Sequence, residues 1–162
     1  MENTIECDKF IYINDTLELI IELKYFKKQK NYEYFISYIF NIIEKLISMR
    51  INKLNVNTMD VVVNLKDYKV KDLDEQFVKM MIVVLQDKYP DNLNIINVKN
   101  ATIMVKAVYY IIRPFIDKET RKKIFFLKKK KNKKKGEKNI NEDKIEDEEK
   151  IDEEKIEELF DN

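Results

Sequence analysis

The chain has 162 residues, enough for one domain with a substantial apolar core plus an appendage. It holds no histidine and one cysteine, Cys7, which removes the commonest zinc ligand and general base and excludes an internal disulfide. The net charge of +1 hides unequal segments: residues 1–127 carry 20 Lys/Arg against 17 Asp/Glu, residues 128–138 form a lysine run, and the remainder is mostly Asp and Glu.

Residues 1–9 are polar and acidic, without the basic start and apolar run of a secretory signal. The longest apolar stretches, 77–85 and 103–112, are too short to span a bilayer, so the expected setting is cytoplasmic. Phe10 to Ile13 reads as a short strand ended by Asn14-Asp15. Asp15-Thr16-Leu17-Glu18 has the form of a capping box and predicts a helix with Leu17, Ile20, Ile21 and Leu23 on its apolar side. The alternation from Glu18 to Lys24 equally permits a strand. Residues 32–49 repeat apolar side chains at helical spacing, through Phe35, Ile39, Ile42, Ile43 and Leu46.

Val61-Val62-Val63-Asn64-Leu65 is a β-branched run suited to a strand buried on both faces. Asp72-Leu73-Asp74-Glu75 is a second capping box, opening a helix through Lys88, and Pro90 closes the turn after it. Ile95 to Val98 predicts a strand, Asn100 an N-cap, and 101–112 a helix ended by Pro114. Asp117 caps a short helix, and Ile124 to Leu127 forms the last strand. Alternating strands and helices predict an α/β fold with a mostly parallel central sheet flanked by helices. The domain is expected to span 1–127. Residues 128–162 are expected to be a low-complexity basic-then-acidic tail, disordered or at most a marginal single helix.

Four pieces, in order, resemble the CRAL-TRIO lipid-binding domain family, typified by secretory phosphatidylinositol transfer proteins and the tocopherol and retinaldehyde carriers. They are Asn64-Leu65-Lys66 after a buried strand, Gln86-x-x-Tyr89-Pro90, Asn100-Ala101, and Arg113-Pro114-Phe115-Ile116-Asp117-x-x-Thr120-x-x-Lys123-Ile124. The first strand begins almost at once, so the resemblance implies a minimal form without the N-terminal helical lobe.

By resemblance, the helix over 101–116 is a mobile gate above a lipid cavity floored by the sheet. Ile103, Met104, Val108, Tyr109, Ile111, Ile112 and Phe115 then line it. A helix apolar on nearly all sides must be covered by core or by ligand, and periodicity does not choose between them. Headgroup contacts carried over residue by residue fall on Asp91, Thr120 and Lys123, with Asp91 standing where the family usually has Glu. Thr120 and Lys123, three apart, share a helical face, an arrangement that suits a phosphate; an ordinary surface lysine is the plain alternative. The positions that hold choline in some members fall on Met59 and Val61, which argues against a phosphatidylcholine site of that type.

The implied function is binding, with intermembrane transfer, of a phospholipid or other small hydrophobic ligand, phosphatidylinositol first. The competing expectation is a protein-interaction module with a vestigial cavity, as in the divergent branch of the family. No catalytic set, metal site or cofactor is expected. Expected partners are the ligand, a transient membrane surface, and a protein reached through the charged tail. The lysine run reads as a membrane-docking element, which the acidic tail would screen, or as a solubilising linker. With no aromatic platform among the lysines, no nucleic acid is expected.

Overall fold

The structure is a computed structural model and describes residues 7–26, 28 and 32–127; for Val70 and residues 103–107 it gives the backbone. The expectations for the tail, its lysine run and its acidic repeats lie outside the described residues, as do the side chains of Ile103 and Met104.

The chain runs α1 (Cys7–Phe10), β1 (Ile11–Ile13), β2 (Leu19–Glu22), α2 (Tyr32–Leu54), β3 (Met59–Asn64), α3 (Glu75–Lys88), β4 (Leu93–Lys99), α4 (Ile103–Ile112), α5 (Lys118–Lys122) and β5 (Ile124–Leu127). Single 3-10 turns occupy Leu23–Tyr25, Val70–Asp72 and Arg113–Phe115. The five strands lie side by side in sequence order, β1 antiparallel to β2 and every later pair parallel.

Pairing aligns Leu19, Val61, Ile96 and Ile124 in one row and Ile21, Val63, Val98 and Phe126 in the next row of the same face. That face meets the helices. Buried α2 residues fall at Phe35, Ile39, Ile43 and Leu46, spaced three or four apart, and α3 adds Phe77 and Met81. These share one core with Ile11, Leu19, Met59 and Val61. Ile20 and Val62 point to the opposite face and are also buried, which is why β2 and β3 lack the alternation of a half-exposed strand. Arg50 continues the buried stripe of α2; its Nη1 donates to the Leu17 carbonyl at 2.9 Å and to Asp60 Oδ2 at 3.1 Å.

Three local readings are corrected. Residues 15–18 do not start a helix. Asn14 Oδ1 accepts the Glu18 N–H at 2.8 Å, Thr16 donates to Glu18 Oε2 at 2.8 Å, and Leu17 sits at φ 59°. The result is a tight hairpin turn delivering β2 antiparallel to β1; local side-chain bonds to the backbone won over the capping pattern. The cap of α3 is Asp74, whose Oδ1 accepts the Phe77 N–H at 3.1 Å, while Asp72 belongs to the preceding 3-10 turn. Asn100 is not the cap of α4. It sits at φ 59°, a region Asn tolerates, and its side chain turns to Asn64; the N-cap is Thr102, which makes no side-chain cap bond.

Candidate functional site: helix α4 and the amino edge of the sheet

Only Lys106 interrupts the apolar sequence of α4. Its described side chains, Val108, Tyr109, Tyr110 and Ile112, are half-buried, and Ile111 is 50% exposed. Tyr109 meets Phe126 of β5 edge-on, ring centroids 5.3 Å apart, which places α4 over the same sheet face as α2 and α3. None of these five side chains is fully buried, although the helix is almost wholly apolar.

The helix ends where Pro114 cannot supply an N–H. The backbone tightens into the 3-10 turn Arg113–Phe115, closes with Ile116 N–H on the Arg113 carbonyl at 3.0 Å, and leaves extended at the buried Ile116. Gln86 fixes this break from α3: its Nε2 donates to the Phe115 carbonyl at 3.1 Å and its Oε1 accepts the Asp117 N–H at 2.8 Å. This role was invisible in sequence except as the spacing of Gln86 from Tyr89-Pro90. At the other end, Asn100 Nδ2 donates to Asn64 Oδ1 at 2.7 Å, and Asn64 Nδ2 donates to Glu22 Oε2 at 2.9 Å. Two motif pieces thus meet in one polar network at the carboxyl edge of the strands.

The headgroup candidates gather at the opposite edge. Asp91 lies exposed in the turn before β4. Lys123 Nζ donates to the carbonyl of Leu93, two residues on from Asp91, at 2.6 Å, and Ile96 N–H donates to the Lys123 carbonyl at 2.8 Å. Asp117 caps α5, accepting the N–H groups of Glu119 and Thr120 at 2.9 Å each and the Thr120 hydroxyl at 2.6 Å. The amino edge therefore brings Asp91 and Lys123 to the same strand start, while the Thr120 hydroxyl is occupied by Asp117. Met59 and Val61 are packed in the core. The neighbouring turn is held by Glu44, whose Oε1 accepts Lys88 Nζ at 2.8 Å and the Tyr89 hydroxyl at 3.2 Å, with Lys88 4.0 Å above the Phe40 ring.

Two caps tie this arrangement to pH. Burial pushes the Asp74 carboxyl up, but the Tyr32 hydroxyl and the Phe77 N–H outweigh it and hold the group below the usual carboxylate range. The Thr120 hydroxyl and backbone N–H hold Asp117 low as well. A depressed folded value means stabilisation is complete above the ordinary carboxyl pKa and is lost as pH falls through the folded one. The urea midpoint should therefore hold from about pH 7 to about 5 and drop toward about 3. Asp74→Asn should shrink that drop, and an unchanged acid slope rejects the assignment.

Among the described residues no His/Cys/Asp/Glu group could hold a metal ion, and no helix is long and apolar enough to cross a membrane. The family model for the CRAL/TRIO domain matches residues 15–149. No curated protein is similar to the chain in sequence. Among solved structures, the crystal structure of Sfh5 is similar with a TM-score of 0.63 and 22% identity, a likeness of fold, covering 78% of this chain and 51% of that one. The chain thus spans about half the length of Sfh5.

Proposed function

Because the chain belongs to the CRAL/TRIO domain family, whose members bind lipids or other small hydrophobic ligands, we propose that it holds such a ligand between α4 and the sheet. A phospholipid with an anionic head, phosphatidylinositol first, is the ligand class that this reading favours. The observation that carries it is α4 itself, an almost entirely apolar helix whose described side chains stay half-buried or exposed. Residues of that kind normally go to the interior, and a removable apolar occupant gives them cover without committing the helix to the core.

The demand is large. A diacyl lipid brings about thirty methylenes at ~0.8 kcal/mol each, so roughly 25 kcal/mol of apolar contact must be replaced on leaving a bilayer. Ile111, Phe115 and the half-buried Val108, Tyr109 and Ile112 are the described side chains offered for that cover. At the amino edge, Lys123 rests on a neutral carbonyl, and a phosphate would form a stronger, charge-assisted bond to the same ammonium. Thr120 would turn its hydroxyl from Asp117 to the ligand, and Asp91 would accept from headgroup hydroxyls.

Native mass spectrometry of the purified chain tests both levels. A co-purified lipid is the expected result, and a ligand-free protein would favour the competing reading, an interaction module that binds protein. Lys123→Ala should lower phosphatidylinositol loading by about tenfold, the loss of one charge-assisted bond, and leave neutral-lipid loading unchanged. Equal loss across all lipids would remove Lys123 from the headgroup site.

A further inference from the structure

We propose, resting on the headgroup role that the carrier reading gives Lys123, that Asn94 is the positioning residue for the Lys123 ammonium and acts by holding a bulge in β4. Met59 pairs with Leu93, but Asp60 pairs with Ile95, so Asn94 is an extra residue in β4 without a partner in β3. Bulges are uncommon between parallel strands, and each re-aims the backbone around it. From Asp60 onward the ladder is regular through Asn64 and Lys99.

The insertion falls between the two points where β4 holds Lys123. Before it, the Leu93 carbonyl takes the Lys123 ammonium at 2.6 Å; after it, the Ile96 N–H takes the Lys123 carbonyl at 2.8 Å. One residue of strand is about 3.3 Å, so the bulge sets the distance between these two contacts and with it the place of the ammonium. The start of β4 is fastened separately, the Asn92 carbonyl accepting the Met59 N–H at 2.6 Å and Asn92 Nδ2 donating to the Asn57 carbonyl at 2.7 Å. Asn94 is exposed, so burial does not hold it. Its side chain does: Nδ2 donates to Asp60 Oδ1 at 2.7 Å, and the other oxygen of Asp60 accepts Arg50 Nη1 at 3.1 Å. Arg50 is 7% exposed and its Nη1 also donates to the Leu17 carbonyl. A buried guanidinium cannot shift without losing both acceptors, so Arg50 fixes Asp60 and Asp60 fixes Asn94.

The test is a double-variant cycle on the full chain, read by native mass spectrometry after incubation with equal amounts of phosphatidylinositol and diacylglycerol. Asn94→Ala leaves the Asp60–Arg50 pair in place and should lower the bound ratio of phosphatidylinositol to diacylglycerol about fivefold, the scale of one lost hydrogen bond. The same change in Lys123→Ala protein should leave the ratio of that variant where it was, because Asn94 then has no ammonium to place. A parent ratio in Asn94→Ala, or an equal fall in both backgrounds, overturns the proposal. Acylation of the chain stripped of lipid, followed at each lysine by mass spectrometry, needs no ligand. Lys123 should react faster in Asn94→Ala than in the parent, as its ammonium leaves the Leu93 carbonyl, while the exposed Lys118 reacts alike in both. Equal rates at Lys123 overturn the proposal. A chain that binds neither lipid yet shows the change at Lys123 keeps the positioning network and loses the carrier reading. A chain that binds lipid with the parent preference in Asn94→Ala does the reverse.

Discussion

Tying α4 to β5 should stop lipid exchange while leaving the fold intact. Tyr109→Cys and Phe126→Cys, in a Cys7→Ser background and joined by a short bismaleimide, would span a contact whose rings now lie 5.3 Å apart. Cys7 is the sole native thiol, so its replacement leaves the reagent only the intended pair. If the ligand enters beneath α4, the bridged protein should transfer labelled phosphatidylinositol between liposomes about a hundredfold more slowly than the same protein unbridged, because lid movement gates entry and release. The unbridged double variant carries the cost of losing two aromatic rings, so the comparison isolates movement from packing. Equal transfer with and without the bridge would mean that α4 is not the door.

The second large effect concerns stability. Phe77→Ala should lower unfolding free energy by about 3–5 kcal/mol, read from the urea midpoint, out of the 5–15 kcal/mol typical of a domain. Phe77 is 5% exposed and stacks on Phe26 and Tyr32 at centroid distances of 5.1 and 5.3 Å, with Phe35 at 5.4 Å. Its ring joins α2, α3 and the segment after β2, and its backbone N–H is the donor that Asp74 caps. Truncation therefore leaves a cavity where three elements converge, and nearby rings cannot close it without giving up their own contacts. A loss below about 1.5 kcal/mol would show that the aromatic cluster relaxes freely.

Much of this fold was legible because its strands are β-branched and its helices keep a strict spacing. Val61 to Val63 could hardly be read otherwise, and Phe35 to Leu46 announces α2. The failures share a cause: short polar side chains that took partners other than a helix N-terminus. Asn14 and Thr16 turned a sequence that could cap a helix into a hairpin, and Asn100 spent its amide on Asn64 instead of α4. Each residue type was read correctly, but its partner was set by the turn for Asn14 and Thr16 and by tertiary placement for Asn100.

The site divides along the same line. The apolar character of α4 and the break at Pro114 were plain from composition. The clamp by Gln86 was not, because its two partners arrive 29 and 31 residues later and no periodicity links them. The engagement of Thr120 with Asp117 belongs to the local cap of α5, whereas the reach of Lys123 to Leu93 depends on where α5 ends against β4. Spacing placed Thr120 and Lys123 on one face; it could not say what each already touches.

The two amide anchors, Gln86 after α4 and Asn64 before it, have a consequence for how anything gets underneath. A bar pinned at both extremities cannot pivot open like a hatch; while the pins hold, it can only roll about its long axis or bow at midspan. Ten residues of helix give that bar a span of about 15 Å. If α4 covers a ligand as proposed, the opening would be a slot along its flank, an aliphatic tail would slip in sideways, and its polar end would stay at the strand starts beside Lys123.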